Sequence, residues 1–456
     1  MSMDEKDKLI ESLREEIRLL KQELERFYRM LGLNSSNSSK PPSSDGLKKP
    51  PSPQKPSPQS LRTKGKKKSG GQKGHKGSTL EQVKIPDKVV HHALSKCPCC
   101  QSPLETGSSE KLIKRQVFDM LPVAREITEH QSEIKYCQTC LKEVHAPFPL
   151  DVTAPVQYGN RVRAFAIYLN NGQLIPEDRL QEVMLDLFNY PISTGTLVRF
   201  SNVFSDNIVE QEKARLKSII NDKVRQSDET SVRIGGKTCW LHLLSTVSAT
   251  HYWVSDKRGD IIKGLDSGTL IHDHFKPYYA QNPDVTHGLC NAHHLRELKA
   301  LEEIEKEGWA RSMKMLLNVA NNLQELPFDW ISKRYDEIVK RGLIYHESLL
   351  PMGAKNRGKQ KRRPGHNLLI RLRDFKSDVL RFKLDEDVPF TNNLAERDVR
   401  MMKVKQKISG GFRTKEGAIV FCRVRGFIST LRKQGRNILD SIDAVLARQT
   451  SLLFQT

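Results

Sequence analysis

The segment that decides the fold is Val224–His294. It contains VRQSDETSVRI (224–234), CWLHLLSTVSATHYWV (239–254), TLIHDHFKPYY (269–279) and HGLCNAHHLREL (287–298). Apolar and polar residues alternate here, and the runs are bounded by Gly235-Gly236 and by Lys-Arg-Gly at 257–259. A period of two with turn residues between the runs predicts consecutive antiparallel strands.

Two acidic residues accompany these strands. Asp228 lies where the first strand begins to pair, and Asp273 follows Leu270-Ile271 at the end of a later strand. Carboxylates on neighbouring strands can share a divalent cation, because hard cations prefer oxygen ligands. Glu396 in TNNLAERDVR is the best candidate for a third ligand.

Glu396 also has structural explanations. Asn393 followed by Glu396 is a helix-start capping pattern, and Glu396 with Arg400 forms an i,i+4 ion pair. Spacing alone does not separate Glu396 from other acidic candidates, which are Asp266, Glu297 and Asp398.

The composition points to a polyanionic partner. Lys+Arg 75 against Asp+Glu 54 gives a net charge of +21, and a surplus of this size favours nucleic acid. The sequence has neither an apolar run long enough for a membrane span nor an apolar signal-peptide core. We therefore expect a cytoplasmic protein, associated with the nucleoid when bound to DNA, whose eight cysteines are thiols or zinc ligands.

The first 80 residues predict a coiled coil and a linker. Residues 1–33 carry an a/d seam that favours a homodimer or higher oligomer through residues 5–32, although a single amphipathic helix packed on its own chain explains it too. The seam consists of Ile10, Leu13, Ile17, Leu20, Leu24, Phe27 and Leu31. Residues 34–80 form a linker rich in Ser, Pro and Lys, which either tracks DNA phosphates or serves as a solvated tether.

Two CxxC pairs follow, within residues 81–156. Cys97 and Cys100 form the first pair, and Cys137 and Cys140 form the second. Paired CxxC motifs are typical of a structural zinc site with four thiolate ligands, so we predict an elaborated zinc ribbon. Paired cysteines without metal are the alternative.

Residues 157–222 have a helical pattern. RLQEVMLDLF, a break at 189–191 and STGTLVRFSNVF resemble a helix-turn-helix, with Ser193 or Thr194 capping the second helix. Its second helix either reads DNA or is scaffolding, because Arg199 is its only basic residue.

Cys290 and His293 form a CxxH pair directly after the strand segment. Two ligands are too few for a zinc site, so the pair is interpreted as a buried thiol and a histidine that brace the sheet against the next helix.

The chain resembles the transposases of the insertion sequence 66 family over nearly its whole length. The resemblance is carried, in order, by MLGLNSSNSSKPPSSDG, GGQKGHKG, CPCC and CQTC, SDET, HDHFKPYY, LCNAHHLREL, TNNLAERDVRMMKVKQKISGGFRT and RVRGFISTLRKQG. It implies an RNase H-like catalytic core of the DDE type at 223–400, with a helical insertion at about 295–385 and a C-terminal helical segment at 401–456.

The resemblance also implies the site residues and the ions. The catalytic acids that bind two Mg²⁺ ions, or Mn²⁺ in their place, fall on Asp228, Asp273 and Glu396. The ligands of a structural Zn²⁺ fall on the ribbon cysteines, which are Cys97, Cys100, Cys137 and Cys140.

The expected protein is therefore a multidomain α+β transposase. It would cut double-stranded DNA at the terminal inverted repeats of an insertion element and join it to target DNA, with accessory proteins encoded by the element as further partners. The alternatives are a non-catalytic, zinc-containing DNA-binding regulator, which would be a domesticated relative, and a plain nuclease.

Overall fold

A computed structural model describes residues 82–92, 99–103, 113–118, 126–149, 151–323, 325–349 and 362–448. The predicted coiled coil at 1–33 and linker at 34–80 lie outside these residues. The chain divides into two compact units, one formed by Arg62–Glu129 and the other by Met1–Leu61 with His130–Thr456. Within the smaller unit, the side-chain amide of Gln116 joins two segments by accepting from the Val83 N–H and donating to the Val83 carbonyl, both at 2.8 Å.

Among the described residues of the larger unit, the first strands are β1 (Ile134–Cys137) and β2 (Lys142–His145), which form a short antiparallel hairpin. A five-stranded sheet follows, with the spatial order β5-β4-β3-β6-β7. Its strands are β3 (Val224–Ile234), β4 (Lys237–Ser245), β5 (Thr250–Ser255), β6 (Thr269–His272) and β7 (Thr286–Leu289).

The sheet is mixed. β3, β4 and β5 pair antiparallel in succession, whereas β6 pairs parallel to β3 and β7 parallel to β6. Gly235 and Gly236 form the β3–β4 turn with φ of 55° and 77°, because a two-residue turn that matches strand twist needs positive φ at both positions. The predicted consecutive antiparallel strands are confirmed for these three.

Helices precede the sheet in the chain. They are α1 (Asn160–Ile167), a π-helical turn (Tyr168–Gly172), α2 (Glu177–Phe188), α3 (Thr194–Asn207) and α4 (Val209–Ile220). The predicted break between α2 and α3 is present, since Asn189 ends α2 in the left-handed conformation with φ of 54°. Ser193 caps α3 by accepting a hydrogen bond from the Thr196 N–H at 3.2 Å, which confirms Ser193 rather than Thr194 as the cap.

Ser193→Ala should lower the free energy of unfolding by about 1 kcal/mol, because it leaves a backbone N–H at the start of α3 without its partner. Urea-induced unfolding measures the change. Thr194→Ala, one position further on, is the matched control and should change stability by less than about 0.5 kcal/mol. Equal effects of the two substitutions would contradict the capping role.

A helical insertion separates β7 from the next sheet-packing helix. It consists of α6 (Asn291–Glu303), α7 (Gly308–Asn322), α8 (Phe328–Ser348), α9 (Pro364–Asp374), α10 (Lys376–Val379) and α11 (Arg381–Leu384). The short α5 (Pro277–Gln281) lies earlier, between β6 and β7. The insertion has an apolar core built around residues such as Met313, Tyr335 and Leu369, and this core extends to Ile271 of β6 and Leu289 of β7. It spans nearly the same residues as the insertion expected at about 295–385.

The C-terminal helices tie the sheet to the N-terminal helices. They are α12 (Asn393–Ser409), α13 (Lys415–Lys433) and α14 (Ile438–Leu446). Phe421 of α13 packs in the apolar core against the sheet, whereas Phe427 of the same helix packs in the core of α1–α3. Residue 400, which was expected to end the catalytic domain, falls inside α12. Among the described residues, every helix is too short or too polar to cross a bilayer.

Candidate active site

Asp228 lies on β3, the central strand of the sheet, opposite Leu243 of β4. Asp228 is partly buried, and its Oδ1 accepts a hydrogen bond from the Glu229 N–H at 2.9 Å. A carboxylate on a central strand has little water to solvate its charge, which makes it a suitable ligand for a cation.

Asp273 follows the end of β6, which runs parallel beside β3. The register pairs Gln226 with Ile271, an offset of 45 positions (271 − 226), and the same offset joins 228 to 273. Asp273 Oδ1 accepts from the Phe275 N–H at 3.1 Å, and His274 turns the chain with φ of 75°. Parallel pairing therefore places Asp273 beside Asp228.

Glu396 lies in the first turn of α12, whose start is bound to β3. The Asn392 side chain donates to the Ser227 carbonyl at 2.8 Å, and the Leu394 N–H donates to the Gln226 side chain at 3.2 Å. These bonds hold the helix start next to the strand that carries Asp228.

The three predicted acids interact electrostatically. The pKa of Asp228 rises from 3.8 to about 7, mainly because of burial, then because of the negative charge of Glu229, and also because of Asp273 and Glu396. Repulsion among carboxylates in a poorly solvated site is relieved when a cation binds. The donors are carboxylate oxygens, the ligand type that Mg²⁺ and Mn²⁺ prefer.

A neighbouring network was not predicted from the sequence. The Glu229 carboxylate, with a side chain only 1% exposed, accepts from Arg258 Nε at 2.9 Å and from Tyr278 Oη at 2.7 Å. Arg258 Nη2 also lies 3.8 Å from Asp273 Oδ2, and its guanidinium stacks 4.2 Å from the Phe275 ring centroid. Burial, followed by the charge of Asp273, raises the pKa of Glu229. The positive charge of Arg258 thus balances the negative charges of Glu229 and Asp273.

Arg258→Gln should lower the free energy of unfolding at neutral pH by about 2 kcal/mol, because it leaves Glu229 buried without its cation. The value is below that for a fully buried pair since the Arg258 side chain is 43% exposed. Lys415→Gln breaks an exposed pair with Asp256 and should cost less than about 0.5 kcal/mol. Urea-induced unfolding compares the two, and similar losses would contradict the assigned role of Arg258.

The competing acidic residues have other partners. Asp266 is exposed and accepts from the Ser267 hydroxyl at 3.1 Å. Glu297 pairs with Arg371 of the insertion at 2.6 Å. Asp398 accepts from Ser245 Oγ at 2.8 Å and forms an ion pair with Lys433 at 3.0 Å, so it joins α12 to β4 and α13.

Of the two structural explanations for Glu396, the ion pair with Arg400 is present, whereas the start of α12 has no side-chain capping bond. The residue that precedes α12 is Asn392, which makes no side-chain capping bond; its amide is bound to Ser227 instead. The ion pair is present, with Arg400 Nη2 at 3.8 Å from Glu396 Oε2.

The CxxH pair lies beside Glu396. Cys290 is buried and accepts from the Asn392 N–H at 3.2 Å, so it does connect the end of β7 to α12. Its thiol donates to Glu396 Oε1 at 3.6 Å, and His293 Nδ1 lies 3.8 Å from the same oxygen. Burial raises the pKa of Cys290 to about 11. The pair therefore has a third potential ligand, which sequence spacing did not reveal.

Of the predicted ribbon cysteines, Cys100, Cys137 and Cys140 are among the described residues, whereas Cys97 lies outside them. Cys137 ends β1, and its carbonyl accepts from the Leu141 N–H at 2.9 Å in the turn of the hairpin. Hydrogen bonds from the Cys140 backbone and thiol lower the pKa of Cys137, as suits a thiol that loses its proton to a metal.

Comparison with known families identifies the protein class. The model of the Transposase IS66 family matches residues 155–419, which is more than half of the chain and includes the sheet, the insertion and α12. The chain belongs to this family of transposases. Residues 1–81 match a second model, described as a family of unknown function (DUF6444). No curated protein matches the chain.

Proposed function

We propose that this transposase is of the DDE type, with Asp228, Asp273 and Glu396 as the catalytic acids. The observation that carries the proposal is the placement of the three acids: parallel pairing of β6 with β3 brings Asp273 beside Asp228, and hydrogen bonds hold the start of α12, which carries Glu396, against β3. The charges of Asp273 and Glu396 both contribute to the raised pKa of Asp228, after burial and Glu229. The sheet order β5-β4-β3-β6-β7, with an antiparallel half and a parallel half, is the arrangement expected of an RNase H-like core.

Two divalent ions, Mg²⁺ or Mn²⁺, would supply Lewis acidity to both the attacking and the leaving oxygen of a phosphodiester. Asp228 on the central strand, Asp273 at the end of β6 and Glu396 on α12 would hold these ions. Arg258, held against Glu229 and the Phe275 ring, keeps Asp273 oriented.

The reaction consists of two displacements at phosphorus. Water attacks at the end of the element, the P–O3′ bond breaks and the 3′-oxygen leaves as a hydroxyl. That 3′-hydroxyl then attacks a target phosphodiester, forming one P–O bond and breaking another. The protein forms no covalent bond to DNA, so its residues act by positioning and by charge.

DNA binding is proposed for the regions outside the sheet. The net charge of +21 supplies affinity for phosphates. The outward face of α3 presents exposed Val198 and Arg199, which suits contact with a groove. We also propose that the predicted coiled coil pairs two protomers and that the four ribbon cysteines hold a structural zinc.

A labelled element end incubated with the protein and Mg²⁺ tests this function. Cutting followed by joining to target DNA is the expected result. Binding without cutting would favour the non-catalytic regulator, and cutting without joining would favour a nuclease. Either of these results would overturn the proposal of a complete transposition reaction.

A further inference from the structure

Three potential metal ligands meet next to the carboxylate site. The Sγ of Cys290, a ring nitrogen of His293 and a carboxylate oxygen of Glu396 all lie within 4.8 Å of one another. Two segments supply them: Cys290 directly precedes α6 and His293 lies in the first turn of α6, whereas Glu396 lies in the first turn of α12. The cluster therefore combines the local CxxH pair with a carboxylate that the fold brings in from 106 positions beyond Cys290.

His293 Nδ1 is an unsatisfied polar atom of the cluster, whereas the Cys290 sulfur accepts from the Asn392 N–H and its thiol donates to Glu396 Oε1. His293 Nδ1 is buried and has no hydrogen-bond partner among the described residues; at 3.8 Å, Glu396 Oε1 is too far to accept from it. Arg296 and Arg400 lie 3.9 Å and 3.8 Å from the Glu396 oxygens, also beyond hydrogen-bond distance. Buried polar atoms are normally paired, and a shared ion would satisfy the nitrogen, the thiolate and the carboxylate together.

We propose that Cys290, His293 and Glu396 form a zinc site that adjoins the proposed site for Mg²⁺ and shares Glu396 with it. One thiolate, one imidazole and one carboxylate are a ligand set for Zn²⁺, whereas Mg²⁺ requires oxygen ligands. On binding, the Cys290 thiol loses its proton to solvent and a Zn–S bond forms. Asn392, whose N–H donates to Cys290 Sγ, orients the sulfur. The His293 side chain, 39% exposed, gives the ion a route from solvent.

The zinc site would regulate catalysis because it shares Glu396 with the Mg²⁺ site, and this consequence rests on the proposed function. A zinc ion that draws Oε1 toward Cys290 and His293 withdraws negative charge from the Mg²⁺ ligands. Zinc at low concentration should then inhibit cleavage even when Mg²⁺ is in large excess, because the two ions prefer different ligands.

The test is the zinc content of the full-length protein after equilibration with ZnCl₂ and excess MgCl₂, followed by dialysis. Cys290→Ser/His293→Asn should hold about one equivalent fewer than the wild type. Cys239→Ser removes another buried thiol, which faces Asp256, and should hold the wild-type amount. Cys137→Ser removes a ligand of the predicted ribbon, so its zinc content measures the ribbon zinc separately from the zinc at Cys290 and His293.

The single substitution His293→Asn tests the site independently of whether the double variant folds. His293→Asn changes a partly exposed side chain and should weaken zinc binding at this site by about a hundredfold, as measured by competition with a chromophoric chelator. Equal zinc content and affinity in the wild type and both variants would overturn the site.

The second part of the test measures the rate of DNA cleavage. The rate of each protein with zinc is compared with the rate of the same protein without zinc. Micromolar ZnCl₂ should slow the wild type about tenfold and His293→Asn less than about twofold. Equal inhibition would overturn the regulatory role. If no protein cleaves DNA, the proposed function fails, while the zinc measurements still decide the site.

Discussion

Asp228→Asn should reduce metal-dependent cleavage of element-end DNA by about a thousandfold or more, which corresponds to about 4 kcal/mol of transition-state stabilisation. Asparagine keeps the size of the side chain but carries no charge, so it holds a divalent cation poorly. Asp228 lies on the central strand between the elements that carry Asp273 and Glu396, and its loss should affect both ion positions. Single-turnover cleavage of a labelled duplex measures the effect.

The control for this substitution is Asp266→Asn. Asp266 is exposed and accepts a hydrogen bond from the neighbouring Ser267, so cleavage should stay within about threefold of the wild type. DNA binding, measured by gel shift, should be unchanged in both variants because binding depends on the basic surface. Full cleavage by Asp228→Asn would contradict the assignment of this residue.

The metal-free protein should lose stability as the pH rises through about 7, and Asp228→Asn should remove much of that loss. The folded pKa of Asp228 is raised from 3.8 to about 7. Its contribution to stability is therefore fully present below about pH 4 and is lost as the pH rises through the folded pKa. At about pH 8 the variant should be more stable than the wild type by about 2 to 3 kcal/mol, a value reduced for the partial solvation of the site.

Excess Mg²⁺ should reverse the difference in the free energy of unfolding between the wild type and Asp228→Asn. At about pH 8 it should stabilise the wild type, in which three charged carboxylates bind it, and stabilise the variant much less. Urea-induced unfolding at about pH 4 and pH 8, with and without Mg²⁺, measures all of these values. If the wild type were more stable than the variant at pH 8 without metal, this result would contradict the claim that the charged form of Asp228 destabilises the metal-free protein.

The central strands were predictable from local patterns. The period of two in residues 224–254 and the glycines at 235 and 236 determine the β3–β4 hairpin. The same patterns locate Asp228 on the first strand and Asp273 at the end of a later strand, but they do not separate these two from other acidic candidates. Glu396 did not follow from spacing, because the helical insertion separates it from the sheet in the chain. The resemblance to a family indicated Glu396. The hydrogen bonds of Asn392 to Ser227 and of Leu394 to Gln226 explain how the start of α12 is held against β3 after the helical insertion.

Long-range side-chain partners could not be read from the sequence. Arg258, in a segment that signals a turn, binds Glu229 from 29 positions away, and Cys290 meets Glu396 from 106 positions away. The expected C-terminal helical segment at 401–456 does not reveal that α13 contributes to two apolar cores. Such pairings depend on how elements pack, which local periodicity does not encode.

The most direct test of the central claim is a crystal of the protein soaked with Mn²⁺, which replaces Mg²⁺ and scatters anomalously. We predict two anomalous peaks about 4 Å apart, both bound by carboxylate oxygens of Asp228, Asp273 and Glu396. Peaks elsewhere, or no peak among these three residues, would contradict the account.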